Sequence, residues 1–345
     1  MLIAKTTLDK KFKIAIFIVL FLCFISPPLL AVDTTAYALN AEVIYTNIQN
    51  PYTTPLNAAT VPKELSDVWW MALPSPYGPA FLLITFIPWL ISFSSLFAFI
   101  YAYKLFALVA FLASAWLFSK LRQRENAPAY LDLLFILNPA LIINLVLEGH
   151  NEVFIILFLL LFLYTSDKPL KKLGYMTMAV LIKFSTFLAW PLIWFKNSKF
   201  NLKSFVKSNI FLLIIGLIFF KVINLLPQDF LKQNVLFINN ACFYKCSPIY
   251  SLGNHLPNLF GDYFKIITFL LAYLFILYWF LIKRYEPLKF IVWSFVALFF
   301  ITTKWLTPWY PTIIIPFSLL LNNKKYLLIS ALITAYCLLH YILLI

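Results

Sequence analysis

The chain is poor in what soluble proteins use most. Of its 345 residues only 12% are charged, about half the share usual in a soluble domain. Glycine is scarce as well, with 6 in all, and no P-loop, Rossmann or Gly-x-Ser-x-Gly fingerprint occurs. There are 3 histidines and 4 cysteines. Cys23 and Cys337 fall in apolar segments, whereas Cys242 and Cys246 sit in a polar one, where an oxidising compartment would allow a bridge and two cysteines alone make a weak metal site. Acids are few: 13 Asp and Glu face 27 Lys and Arg, a net charge of +14. What fills the chain is 63% hydrophobic and 19% aromatic residues, with a mean hydropathy of +0.89. That composition excludes a soluble globular protein and a disordered chain alike, and leaves an all-α polytopic membrane protein.

The basic excess has three general meanings: nucleic acid, anionic lipid, or cytoplasmic loops. No repeated basic clusters alternate with polar surface helices, so no nucleic-acid partner is expected. The apolar run Phe12 to Val32 follows Lys5, Lys10 and Lys11, and at about 20 residues it has the length of an uncleaved anchor running outward. Asp33 to Tyr77 is the longest polar stretch. Gly78 to Leu96, with Pro79 and Pro88, reads as a helix lying in the interface, because this puts Lys120, Arg122 and Arg124 inside. Spans then alternate as Phe99 to Ser119, Ala129 to Leu147 and Glu152 to Thr165. Two short helices, Leu173 to Lys183 and Ser185 to Phe195, meet at a tip carrying Lys183; one span exiting on the far side is the competing count, and it would reverse every later loop. Further spans are Ser204 to Leu225, Asp262 to Ile282, Pro287 to Thr303, Pro308 to Leu321 and Tyr326 to Leu344. The expectation is one membrane domain over 1–345 with about eleven spans, two of them short. It has an inside N-terminus and outer loops 33–98 and 226–261. No repeat of two similar halves appears, as many secondary transporters would show.

Three places concentrate chemistry. Asp33 lies where the first span is expected to leave the membrane, a position suited to a general base and also to an ordinary interfacial acid. Asp33-Thr34-Thr35 is not an Asp-X-Asp pair. Glu148-Gly149-His150-Asn151-Glu152 packs two carboxylates, an imidazole and an amide between long apolar runs. Such density is a functional hypothesis in a membrane protein, and Asn151 is expected to cap the next helix. His150 with two Glu could take a divalent cation, but the spacing matches no familiar zinc motif, so no metal ligand is assigned. Lys183 is a lone ammonium in an apolar region, suited to a substrate phosphate or to snorkelling. Lys104, Lys221 and Lys304 lie nearer span ends and read as snorkelling. Trp69, Trp70, Tyr77, Trp305, Trp309 and Tyr310 fall at the expected outer interface, where an aromatic belt and sugar stacking use the same residues.

Taken in order, these segments resemble the GT-C superfamily of integral-membrane glycosyltransferases, particularly polyprenol-phosphate-mannose-dependent mannosyltransferases. Asp33 with Tyr37 and Asn50-Pro51-Tyr52 resembles the first-loop pattern, and Tyr77-Gly78-Pro79 the opening of the interfacial helix. Asn138-Pro139 followed by Glu148 to Glu152 resembles an Asn-Pro and Gly-His-Asn-Asp stretch, with Glu152 replacing the usual Asp. Lys183 occupies the place of a lysine between two short helices, and Lys304 with Pro308-Trp309-Tyr310 resembles a late Pro-Trp-Tyr segment.

The resemblance implies a GT-C-like arrangement in the cytoplasmic membrane, with the site on the extracytoplasmic face. Its partners would be a polyprenol-phosphate sugar, a glycan or glycolipid acceptor, and membrane lipid. Asp33 would be the catalytic base and Lys183 would bind the lipid phosphate. Glu148, His150, Asn151, Glu152, Tyr37, Tyr77, Lys304, Trp309 and Tyr310 would bind substrate. The missing Asp-X-Asp pair leaves no certain cofactor, a divalent cation being the candidate. The competing classes are a transporter or lipid-linked glycan flippase, and a polymerase or ligase of surface polysaccharide.

Overall fold

The computed structural model describes residues 10–28, 33–59, 69–165, 168–196, 199–222, 228–229, 247, 251–252, 258–303 and 306–343. In chain order its helices begin with α1 Lys10–Ile25, α2 Asp33–Ala41, α3 Pro79–Ile84, α4 Phe86–Ser92 and α5 Leu96–Arg124. Then come α6 Tyr130–Ile136, α7 Pro139–Leu141, α8 Glu152–Tyr164, α9 Pro169–Ile182 and α10 Leu202–Val222. The last four are α11 Asn258–Leu277, α12 Pro287–Ala297, α13 Ile314–Leu320 and α14 Lys324–Ile342. A 3₁₀ helix covers Phe184–Trp194. The extended structure among these residues is a two-residue pair, Phe195 opposite Phe200. The all-α expectation therefore fits.

Among the described residues five helices are long and apolar enough to cross a membrane: Leu96–Arg124, Tyr130–Leu147, Leu202–Val222, Ile266–Lys283 and Lys324–Ile342. The other expected spans coincide with shorter helices, so length alone supports five full crossings where about eleven are expected.

Local chemistry sets the boundaries. α1 stops at Ile25 rather than running on to Val32, because Pro27 and Pro28 follow and a proline ring cannot continue a helix. Pro79, Pro139, Pro169 and Pro287 each open a helix, where a missing N–H costs nothing. The side chains of Asn138 and Asn323 cap α7 and α14, accepting from Leu141 N at 3.1 Å and Lys325 N at 3.0 Å. The expected interfacial helix is broken at Thr85 into α3 and α4, since Pro88 has no N–H for the carbonyl of Ile84. Left-handed backbone at Phe93 and Ser94 then ends α4. α4 buries Pro88 and Ser92 while Ile87, Leu90 and Ile91 stay exposed, an apolar outward face of the kind that lies in a membrane interface.

The described residues pack as two compact units, the first from 1–114, 145–186 and 207–238, the second from 115–144, 187–206 and 239–345. In the first, α8 packs on α9, α3 on α9, and α2 on α3 and α4. Its centre is aromatic: Tyr37 meets Phe81 at 4.7 Å, Tyr103 at 4.9 Å and Tyr77 at 5.0 Å between ring centroids, mostly edge to face. The first-loop pattern is tied down by polar bonds. Asn50 Nδ2 donates to Asp229 Oδ2 at 2.8 Å, and Tyr52 OH to the Tyr77 carbonyl at 3.0 Å. In the second unit α12, α13 and α14 pack in succession, with α6 against α13 and α7 against α14. Asn138 Nδ2 reaches Thr334 Oγ1 at 2.9 Å, Tyr341 OH reaches Asn144 Oδ1 at 2.6 Å, and Arg122 pairs with Asp132 at 2.8 Å.

One glycine is required by contact. Gly78 N donates to the Ile182 carbonyl at 3.0 Å, and a Cβ at this position would stand 2.0 Å from the carbonyl oxygen of Leu181. Backbone meets backbone there, so no side chain can yield. Gly78→Ala is expected to lower stability by about 3 kcal/mol, as overpacking does. Gly174→Ala, where nothing lies within 4 Å of an added Cβ, is expected to raise it by up to about 1 kcal/mol. Thermal unfolding of the purified protein in detergent checks both.

Candidate active site

The site grows from five pieces of the first unit: the start of α2, the stretch leading into α3, the turn before α8, the start of α8, and the residue after α9. Asp33 opens α2, where the helix N-terminus favours a carboxylate. One turn on, Tyr37 points from the same helix into the aromatic centre and is fully buried. Gly149 takes a left-handed backbone, φ 70°, which turns the chain so that Glu148 and His150 both enter the interior. An added Cβ there would also lie 3.2 Å from Thr34 Cγ2 and 3.5 Å from Tyr103. Lys183 is the extended residue between α9 and the 3₁₀ helix, as its expected place between two short helices requires.

Two polar contacts result. His150 Nδ1 stands 3.2 Å from Asp33 Oδ2, with His150 fully buried and the Asp33 side chain 15% exposed. Lys183 Nζ donates to Glu152 Oε1 at 2.6 Å, with Glu152 fully buried and the Lys183 side chain 19% exposed. A third element joins them: Asn151 N donates to Tyr37 OH at 3.3 Å. Glu148 is fully buried within electrostatic reach of Lys104. Asp33, Tyr37, Tyr77, Glu148, His150, Asn151, Glu152 and Lys183 are thus gathered in one unit. Among the described residues no three His, Cys, Asp or Glu side chains converge in the manner of metal ligands.

A model of the alpha-(1->6)-mannopyranosyltransferase N-terminal domain matches residues 9–196. The chain belongs to this family. The match supports a mannosyltransferase, and so a glycosyltransferase held in membrane by its apolar helices. No curated protein and no solved structure matches the chain. The matched segment contains all eight gathered residues.

The remaining candidates of this mannosyltransferase-family chain fall elsewhere. Trp309 and Tyr310 belong to the second unit, edge to face at 6.0 Å. Lys304, Trp305, Cys242 and Cys246 lie outside the described residues, as do the side chains of Trp69 and Trp70.

Two expectations are corrected. Lys104 does not snorkel: it is fully buried, donating to the carbonyls of Cys23, at 3.1 Å, and Ser26 beyond the end of α1. Its companion residue Tyr103, fully buried against Tyr37, carries nothing in the sequence that marks it, since one tyrosine in a 29-residue apolar helix looks like any other. Asn151 stands at the N-cap position of α8, but its side chain makes no capping bond. Instead the Asn151 amide nitrogen, the hydroxyls of Thr34 and Tyr103, and Glu152 Oε2 are buried without a hydrogen-bond partner among the described residues.

Burial pushes the Tyr37 phenol well above its ordinary range, and Tyr77, Asp33, Tyr103 and Glu152 push the same way. Burial alone does so for Tyr52. Both phenols hold their protons more tightly folded than unfolded, so the stability they contribute is complete below about pH 10 and is lost above it. Unfolding measured from pH 8 to 12 is expected to show stability falling from about pH 10, and falling less steeply in Tyr37→Phe/Tyr52→Phe. A separate denaturation series tests the ion pair. Lys183→Met strands a buried carboxylate and is expected to cost about 3 kcal/mol, much of it restored by adding Glu152→Gln.

Proposed function

We propose that the chain is a GT-C-type enzyme of the cytoplasmic membrane. It moves a mannosyl residue from polyprenol-phosphate mannose to an extracytoplasmic glycan or glycolipid acceptor. The observation that carries this reading is the Asp33–His150 contact at 3.2 Å. A partly exposed carboxylate on a helix end, backed by a buried imidazole, is what a general base needs: access on one side and fixed orientation on the other.

In the proposed reaction the acceptor hydroxyl gives its proton to Asp33 as its oxygen attacks the anomeric carbon. The bond from that carbon to the phosphate oxygen breaks, and its electron pair leaves with the polyprenyl phosphate. Lys183, held against Glu152 at 2.6 Å, stabilises the charge gained by the leaving phosphate. Glu152 positions Lys183, and His150 positions Asp33. Glu148, Asn151, Tyr37 and Tyr77 shape the sugar site, with a divalent cation as candidate companion of the donor phosphate. The four buried polar groups around the site favour a hydroxyl-rich ligand, whose groups can meet them. The charge pattern of the loops supports an inside N-terminus and an outward-facing site.

The test is transfer of radiolabelled mannose from polyprenol-phosphate mannose in membranes holding wild type or Asp33→Asn at equal levels. Asp33→Asn is expected to lose about 10² to 10⁴ in rate, the usual worth of a general base. Equal transfer by both would remove Asp33 from the chemistry. No transfer by the wild type from mannose, glucose or arabinose donors would overturn the reading.

A further inference from the structure

A polar cavity lies in the second unit, outside the segment the family model matches. It measures about 460 Å³ and is lined chiefly by Trp279, Arg284, Lys289, Asn323, Lys325 and Tyr326. Lys283 and Lys324 flank it, both exposed. Three cations, Arg284, Lys289 and Lys325, thus line the space, with Lys283 and Lys324 next to two of them in the chain, and one of the three, Lys289, pairs with the carboxylate of Glu286 at 2.5 Å.

Aromatic faces hold most of these cations in place. Lys283 Nζ and the Arg284 guanidinium carbon lie 4.3 and 4.6 Å from the centre of the Trp279 ring, and Lys325 Nζ lies 4.9 Å from that of Trp293. A ring attracts a cation without consuming its N–H donors in the way a carboxylate does. Among the described residues Lys283, Arg284 and Lys325 have no carboxylate partner. Asn323 spends its side-chain oxygen on Lys325 N, so its amide group adds donors to the same lining.

We infer that this cavity binds a phosphate group, that of an anionic phospholipid of the bilayer. The guanidinium fork and the ammonium groups suit a phosphodiester oxygen pair. Lipid rather than soluble phosphate is favoured by the flanks. Phe275, Tyr278 and Ile282 on α11 and its continuation, and Leu328 on α14, are exposed apolar side chains on the helices that lead away from the cavity. An acyl chain would lie along them. In the topology expected from the loop charges both bordering turns are cytoplasmic, where anionic headgroups meet basic juxtamembrane clusters. The inference is independent of the reaction proposed for the first unit.

Native mass spectrometry of the full chain in detergent tests it, with dioleoylphosphatidylglycerol, dioleoylphosphatidylcholine and inorganic pyrophosphate as probes. The wild type is expected to retain phosphatidylglycerol at concentrations where phosphatidylcholine is lost, and to retain no pyrophosphate. Arg284→Gln/Lys325→Gln is expected to weaken phosphatidylglycerol about 25-fold, two cations near a membrane surface each contributing about 1 kcal/mol. Lys203→Gln/Lys207→Gln, on exposed lysines of α10, is expected to leave it unchanged. Equal retention of the two lipids overturns the inference. So does unaltered binding by the double variant, or binding of pyrophosphate alone. If the double variant fails to fold, loss of the phosphatidylglycerol adduct by the wild type at 0.5 M salt reads the same charge dependence, and its persistence there would be contrary.

Discussion

The ion pair between Lys183 and Glu152 is the interaction on which the rest of the first unit leans. A carboxylate with no exposure is tolerated only when a cation or donor meets it at close range, and here the cation comes from 31 residues away in the chain. To deliver it, α9 must end beside the start of α8, and these two helices pack on each other. α3 then packs on α9 and α2 on α3, so the helix carrying Asp33 is placed by a stack that begins at the buried pair. Asp33 and His150 close the other side. The site is thus held by the same contacts that let charge exist in an apolar interior.

Much of this was legible in the sequence because charge is so scarce there. In a chain with 12% charged residues, two carboxylates and an imidazole within five positions stand out, and a lysine alone between apolar runs does too. Apolar run length located the helices, and the prolines at 79, 139, 169 and 287 mark where four of them open. Pairing was not legible. Nothing in the spacing says that Glu152 meets Lys183 or that His150 meets Asp33, since both contacts depend on how helices distant in sequence stack. Lys104 was misread for a related reason: position near a span end implies an escape to water, but the carbonyls left open after α1 offered a nearer partner. The boundary at Ile25 was readable from Pro27 and Pro28, and overall hydropathy obscured it.

The two units also differ in how much charge they bury. The first encloses Glu148, Glu152 and Lys104, while the basic groups of the second, from Lys283 to Arg284 and from Lys324 to Lys325, are exposed. Buried charge demands fixed partners and yields rigid geometry, as a reacting centre requires. Exposed charge over aromatic faces keeps its donors available, as recruitment of a mobile anion requires.

The backbone contact at Gly78 carries one more consequence. Its N–H holds the Ile182 carbonyl, one residue before Lys183, and the same glycine opens the segment whose outer face is apolar. No side chain intervenes at this joint, so it has no rotamers with which to absorb displacement. The joint behaves as a rigid lever, so that a displacement of α3 passes undamped to the backbone of Ile182 and of the lysine that follows it.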